Sequence, residues 1–173
     1  TSNCQIERAM KRADITDPGD LSLRMGDSLF PVEIDVALDF QCEDIYALNE
    51  LAKAVDKLSN DDRMKLGVVV GMARPENANQ ICRLAENLDL FEFAPGAHTP
   101  AEYGKFMIQQ SGHFNYDPTL DEFYDYERYG RQHMDSGTGM FTDRGYIAYI
   151  GTESLEELMG ESQEQMQGVM DMQ

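Results

Sequence analysis

The sequence predicts an α+β fold in a chain of small segments. Apolar residues recur at helical spacing in several stretches, and a period of two replaces that spacing in others. With 173 residues and 42% hydrophobic side chains, the chain is long enough to bury a core. We expect three parts: an N-terminal α+β segment (1–42), a helical segment (43–90), and a C-terminal acidic α+β segment with a hairpin, a last helix and a tail (91–173).

The N-terminal segment is expected to combine a helix with a small sheet. Ser2 can cap a helix, and residues 17–19 mark a turn after it. Apolar and polar residues then alternate in 21–25 and again in 32–40. This alternation predicts an amphipathic strand at 32–40. Its outer face would carry three acids, Glu33, Asp35 and Asp39.

The helical segment should contain three helices in succession. Residues from Glu43 to Leu58 show one continuous apolar face at helical spacing. Ser59 can cap a second helix, and Arg74-Pro75 can end it because the residue before proline disfavours the helical conformation. A third apolar stripe runs from Ile81 to Leu88.

The C-terminal segment begins with a clear helix start. Thr99 and Glu102 form a capping-box pattern, with proline at the first helical position. Residues 140–150 have the pattern of a hairpin, and Ser154 opens the last helix through a second capping box.

Residues 117–130, here called the acidic segment, interleave five carboxylates with four aromatic residues. Asp117 before Pro118 predicts a helix start. Leu120, Phe123 and Tyr124 lie at i, i+3 and i+4, so we expect them to face a core. Asp121, Glu122 and Asp125 would then point to solvent.

The charge balance limits the class of partner. The chain has 32 Asp and Glu against 14 Lys and Arg, a formal charge of -18 and a pI near 4.3. Such a field repels nucleic acid and favours a protein with a basic groove. Three cysteines without a C-x-x-C pair, no export signal and no long apolar run indicate a cytoplasmic protein.

No pattern of catalytic residues is found. His98, His113 and His133 are isolated, and no phosphate-binding loop or activated nucleophile is recognisable. We therefore expect no enzyme activity, no metal and no cofactor.

Three short runs follow one another in the C-terminal segment: residues 123–131, FYDYERYGR, then Gly139-Met140-Phe141-Thr142 and Gly145-Tyr146-Ile147. They resemble the pattern D-Y-x-x-Y-G-R, G-x-F-T and G-Y-I of the ArdA family of antirestriction proteins. Residues 48–52, LNELA, resemble a helix of the same family. The resemblance covers about Ile45 to Gly151.

The resemblance implies an elongated, homodimeric protein of mobile genetic elements that mimics duplex DNA. It would block the DNA groove of type I restriction-modification enzymes, at the specificity and methyltransferase core. The family's antirestriction motif would fall on residues 120–131. Tyr124, Tyr126, Tyr129, Gly130 and Arg131 would shape the scaffold or the dimer contact.

The residues expected to imitate phosphates are carboxylates, since they could occupy a phosphate-binding groove. They are Asp117, Asp121, Glu122, Asp125 and Glu127, supported by Glu86, Asp89, Glu92 and Glu102, and by Glu33, Asp35 and Asp39. Two alternatives stay open. A DNA mimic could instead inhibit a CRISPR effector or another defence complex, and an acidic adaptor could bind a basic protein without imitating DNA.

Overall fold

The computed structural model describes residues 2–21, 26–134 and 138–160, and it confirms the α+β class. These residues form two compact units. Unit 1 contains the described residues up to Leu88 and those from Glu153 onward, and unit 2 is Asp89–Thr152. Within the described ranges, no helix has both the length and the apolar character needed to cross a membrane.

Unit 1 is built from helices around an aliphatic core. Leu51, Leu66, Ile81 and Leu84 are all fully buried. The helices are α1 (Asn3–Arg12), α2 (Val32–Ala37), α3 (Ile45–Asp56), α4 (Asn60–Ala73), α5 (Ala78–Glu86) and α8 (Leu155–Met159), with a 3-10 turn at Pro18–Asp20. A second 3-10 turn, Leu88–Leu90, begins at the last residue of this part of unit 1 and continues into unit 2.

Local capping explains why most of these helices begin where they do. Asp44 and Ser59 accept hydrogen bonds from the free N–H groups at the starts of α3 and α4. Ser154 forms a full capping box at α8, and at the start of α1 the backbone N–H of Ser2 donates to the side chain of Gln5. The helices predicted at these places are therefore confirmed.

The predicted strand at 32–40 is wrong. Val32–Ala37 is the short helix α2, and the partner stretch 22–25 lies outside the described residues. Burial follows helical spacing, since Ile34 and Leu38 are buried while Val36 is 82% exposed. A six-residue element is too short for alternation to decide between the two periods. Acids in the first turn also favour the helix through its dipole.

Unit 2 contains a three-stranded antiparallel sheet of β1 (Phe91–Pro95), β2 (Thr138–Thr142) and β3 (Gly145–Tyr149) in the order β1-β3-β2. The predicted hairpin is confirmed as β2 and β3. Every residue of the central strand β3 is buried. The sequence did not indicate β1, whose register pairs Phe91 with Tyr149 far along the chain.

Two helices of unit 2, α6 (Pro100–Gln109) and α7 (Tyr126–Met134), cross in close backbone contact. Glycines make the crossing possible. A Cβ atom on Gly104 would overlap the carbonyl oxygen of Tyr126, and one on Gly130 would overlap that of Pro100. The crossing fixes both ends of the connection that carries most of the acidic segment.

Candidate functional site

The acidic segment does not have the faces that helical spacing predicted. Pro118–Phe123 is a 3-10 helix, in which residues three apart are eclipsed. Leu120 is 46% exposed and Phe123 is 82% exposed, so the prediction that these two side chains face a core is wrong. Asp121, expected on the outer side, is partly buried instead.

Asp121 is held by a cluster of three donors that we call the Asp121 cluster. Its Oδ1 accepts hydrogen bonds from the hydroxyl of Tyr116 at 2.7 Å, from Nε2 of Gln109 at 2.9 Å and from the hydroxyl of Tyr126. The ring of Tyr124 stacks on Tyr126 with centroids 5.8 Å apart. The cluster links the acidic segment to α6 and to the first residue of α7.

Charge in the Asp121 cluster is stabilised by its donors. The hydrogen bond from Tyr126, followed by that from Tyr116, lowers the pKa of Asp121. The same contact with Asp121 raises the pKa of Tyr116. At neutral pH the carboxylate of Asp121 is therefore ionised and the hydroxyl of Tyr116 keeps its proton. The hydroxyl can thus donate the hydrogen bond to the carboxylate.

Glu92 on β1 is the second carboxylate held by a tyrosine. It accepts a hydrogen bond from the hydroxyl of Tyr103, which is 2% exposed. Burial, with this bond as a second cause, raises the pKa of Tyr103. Burial and the charge of Glu92 also raise the pKa values of Tyr129 and Tyr146. Glu92 therefore lies against the aromatic core of unit 2.

Three carboxylates of the acidic segment are exposed and oriented by local bonds. Asp117 accepts from the backbone N–H of Thr119 at 2.9 Å, and Asp125 accepts from that of Arg128 at 3.0 Å. Glu127 pairs with Arg131 at 2.7 Å, one turn later on α7. Glu122 is exposed as well. All four residues are exposed, and because Arg131 offsets the charge of Glu127, the net negative charge of this surface comes mainly from Asp117, Glu122 and Asp125.

The other candidate carboxylates are more scattered. Glu102 is exposed, and the backbone N–H of His98 donates to it at 2.8 Å, which lowers its pKa. Glu86, Asp89 and Asp39 are exposed, but they lie outside the acidic segment. Asp35 accepts from the hydroxyl of Ser28 at 2.7 Å. Glu33 turns inward against α4, where its carboxylate lies beside Gly67.

The five residues expected to shape the scaffold or the dimer contact differ in burial: Gly130 is buried, Tyr124, Tyr126 and Tyr129 are partly buried, and Arg131 is exposed. Tyr126 belongs to the Asp121 cluster, and Gly130 makes the helix crossing. Tyr129 is in edge contact with Phe114, with ring centroids 5.6 Å apart. Arg131 is exposed and pairs with Glu127.

Sequence reasoning missed Gln109, Tyr116 and the exposure of Phe123. Tyr116, Asp121 and Tyr126 are spaced by five residues, which matches neither a helical nor a strand period. No local signal could have brought them together. In the described parts of the chain, no group of three or more metal-ligating side chains could hold a metal ion.

Comparison with known proteins adds no relative: no model of a known family matches this chain, and no curated protein matches it either.

Proposed function

We propose that this protein is an antirestriction protein that imitates the charge of duplex DNA and blocks the DNA groove of type I restriction-modification enzymes. The observation that carries the proposal is the set of exposed carboxylates in residues 117–127, oriented by hydrogen bonds on a connection fixed at both ends. The motif resemblance to ArdA proteins points to the same function.

The physical argument starts from the groove of the target. An enzyme that binds duplex DNA places Lys and Arg side chains along the phosphates. Most of these contacts depend on charge and not on the base sequence. A chain of formal charge -18 that holds its carboxylates in place can occupy the same side chains. Because the carboxylates are already oriented, little conformational entropy is lost on binding. The mechanism makes and breaks no covalent bond.

Two further parts of the proposal follow from this role. Restriction acts on DNA inside the cell, so the protein works in the cytoplasm, and we place it there as a homodimer in line with the motif resemblance. Asp121 and Glu92 act as positioning residues, because tyrosine hydroxyls already bind their carboxylates.

The test is binding to a purified type I methyltransferase core at two salt concentrations, with and without cognate duplex DNA. We expect the core to bind either this protein or duplex DNA, but not both at once. The affinity for this protein should fall steeply as the salt concentration rises. Binding that DNA does not disturb would favour an acidic adaptor. Binding to another defence complex alone would keep the mimicry and change the target.

A charge variant and a matched control locate the surface. The variant carries Asp117→Asn, Glu122→Gln, Asp125→Asn and Glu127→Gln, whose amides preserve the local caps. The control removes the same charge from exposed residues of unit 1 through Glu7→Gln, Asp20→Asn, Asp61→Asn and Glu76→Gln. We expect the variant to bind about 10- to 100-fold more weakly with a shallower salt dependence, and the control to change little. Loss of inhibition from one single replacement without unfolding would contradict a distributed charge.

A further inference from the structure

An apolar ridge projects from the middle of the acidic segment. Leu120 and Phe123 are three residues apart in the 3-10 helix Pro118–Phe123, so their side chains lie on the same face. Phe123 is 82% exposed, the largest value among the exposed large apolar side chains of unit 2, and Leu120 is 46% exposed. The core of unit 2 does not use these two side chains.

Charge imitation alone gives no reason for this ridge. A surface that only replaced phosphates would carry polar groups, and an exposed phenylalanine costs solubility. In sequence, exposed carboxylates lie before the ridge at Asp117, between its two apolar residues at Glu122 and after it at Asp125. An aromatic anchor with polar neighbours is the usual composition of a binding hot spot.

We propose that Phe123 inserts into an apolar recess that lies between the phosphate-binding Lys and Arg side chains of the target's DNA groove. The carboxylates around the ridge complement those basic side chains, while the ring fills the recess. Grooves of this composition occur in enzymes that modify bases, because they hold an extruded base between apolar and aromatic walls. This inference rests on the proposed function. It adds that Phe123 makes the protein selective for a target whose DNA groove contains such a recess.

Phe123→Ala tests the inference in the full chain against the purified methyltransferase core. We expect binding to weaken by about 10- to 100-fold, as for the loss of one buried aromatic side chain. The slope of affinity against salt should stay as in the wild type, because no charge is removed. Phe123→Leu should retain most of the affinity. The thermal midpoint and the oligomeric state should not change, since the ring is 82% exposed in the protomer. A lower oligomeric state in Phe123→Ala would assign the ring to a contact between copies and overturn the anchor.

Leu29→Ala is the matched control, since Leu29 is 89% exposed in unit 1. Its affinity should equal that of the wild type. Equal binding by wild type and Phe123→Ala, or an equal loss in Leu29→Ala, would overturn the anchor and leave charge imitation intact. Failure of the wild type to bind would overturn the proposed function and the anchor together.

Discussion

Unit 1 and unit 2 both carry an excess of carboxylates, but they are packed with different side chains. Asp89–Thr152 contains thirteen of the sixteen Phe and Tyr residues, whereas Leu, Val and Ile fill the centre of unit 1. Carboxylates of unit 1 lie mainly at helix starts and on solvated faces. In unit 2, tyrosine hydroxyls bind Asp121 and Glu92 directly.

This difference separates two uses of negative charge. Where an acid only caps a helix or faces solvent, removing its charge leaves the packing unchanged. Where a tyrosine donates to it, the acid belongs to the tertiary structure, and the same substitution disturbs the fold. Acidic residues of unit 2 therefore divide into those that hold the scaffold and those that are displayed.

Among the substitutions that test this difference between the units, Gly130→Ala should cause the largest loss of stability. A Cβ atom there overlaps the backbone of Pro100, and backbone cannot move aside as a flexible side chain can. We expect a loss of at least about 3 kcal/mol in the free energy of unfolding, confined to unit 2. Chemical denaturation combined with hydrogen exchange and mass spectrometry measures both the loss and its location.

Gly71→Ala is the matched control for that experiment. Gly71 lies on α4 with nothing within 4 Å of a Cβ atom, so alanine should stabilise unit 1 by about 1 kcal/mol through helix propensity. A Gly130→Ala protein with normal protection in α6 and α7 would show that the two helices do not need their close crossing.

Tyr103→Phe should have an intermediate effect. It removes the donor to Glu92 from a tyrosine that is 2% exposed, at a cost of about 1–2 kcal/mol in the free energy of unfolding. Tyr46→Phe in unit 1 is the comparison, because the Tyr46 hydroxyl contacts only the weak acceptor Met10 Sδ, at 3.9 Å, among the described residues. Its change should stay within about 0.5 kcal/mol. If urea denaturation gave equal losses in the free energy of unfolding for the two variants, the tyrosine hydroxyls of the two units would contribute equally to stability.

Asp121→Asn and Glu122→Gln form the finest test, since each removes one charge and the two residues are neighbours. Asn at 121 weakens three hydrogen bonds, so its melting temperature should fall by a few degrees, about what a modest destabilisation gives in a domain of this size. Gln at 122 should leave the melting temperature unchanged. Calorimetry at neutral pH measures both.

The effect of Asp121→Asn on the melting temperature should also depend on pH. The folded-state pKa of Asp121 lies below that of the unfolded chain, so its carboxylate stabilises the fold above about pH 4. That contribution is lost as the pH falls through the folded-state value. The gap in melting temperature between wild type and Asp121→Asn should therefore narrow at acid pH. If this difference in melting temperature did not change with pH, the negative charge of Asp121 would not be what stabilises the fold.

The parts of the fold that were predictable are those decided by neighbours in the chain. The start of α6 was set by Thr99, whose hydroxyl accepts from the N–H of Glu102, and by Pro100 at the first position. The hairpin of β2 and β3 likewise depends on a short turn and local strand propensity.

The parts that were not predictable depend on contacts distant in sequence. β1 becomes a strand only because β3, about fifty residues later, pairs with it. Asp121 turns inward because Gln109 on α6 and Tyr126 on α7 converge on it. For the candidate site, composition identified the acidic segment, but it could not tell which acids are held and which are displayed.

The crossing of α6 and α7 makes the stretch between them replaceable in protein engineering. Its two ends are held by contacts around Gly104 and Gly130 that do not involve the side chains of residues 117–123. The entropy of closing a loop rises slowly with length, so another sequence can be grafted provided that it keeps Tyr116 and Asp121, whose hydrogen bonds hold the stretch to the helices. New targets could thus be addressed by exchanging one surface loop while the helices and sheet of unit 2 are kept.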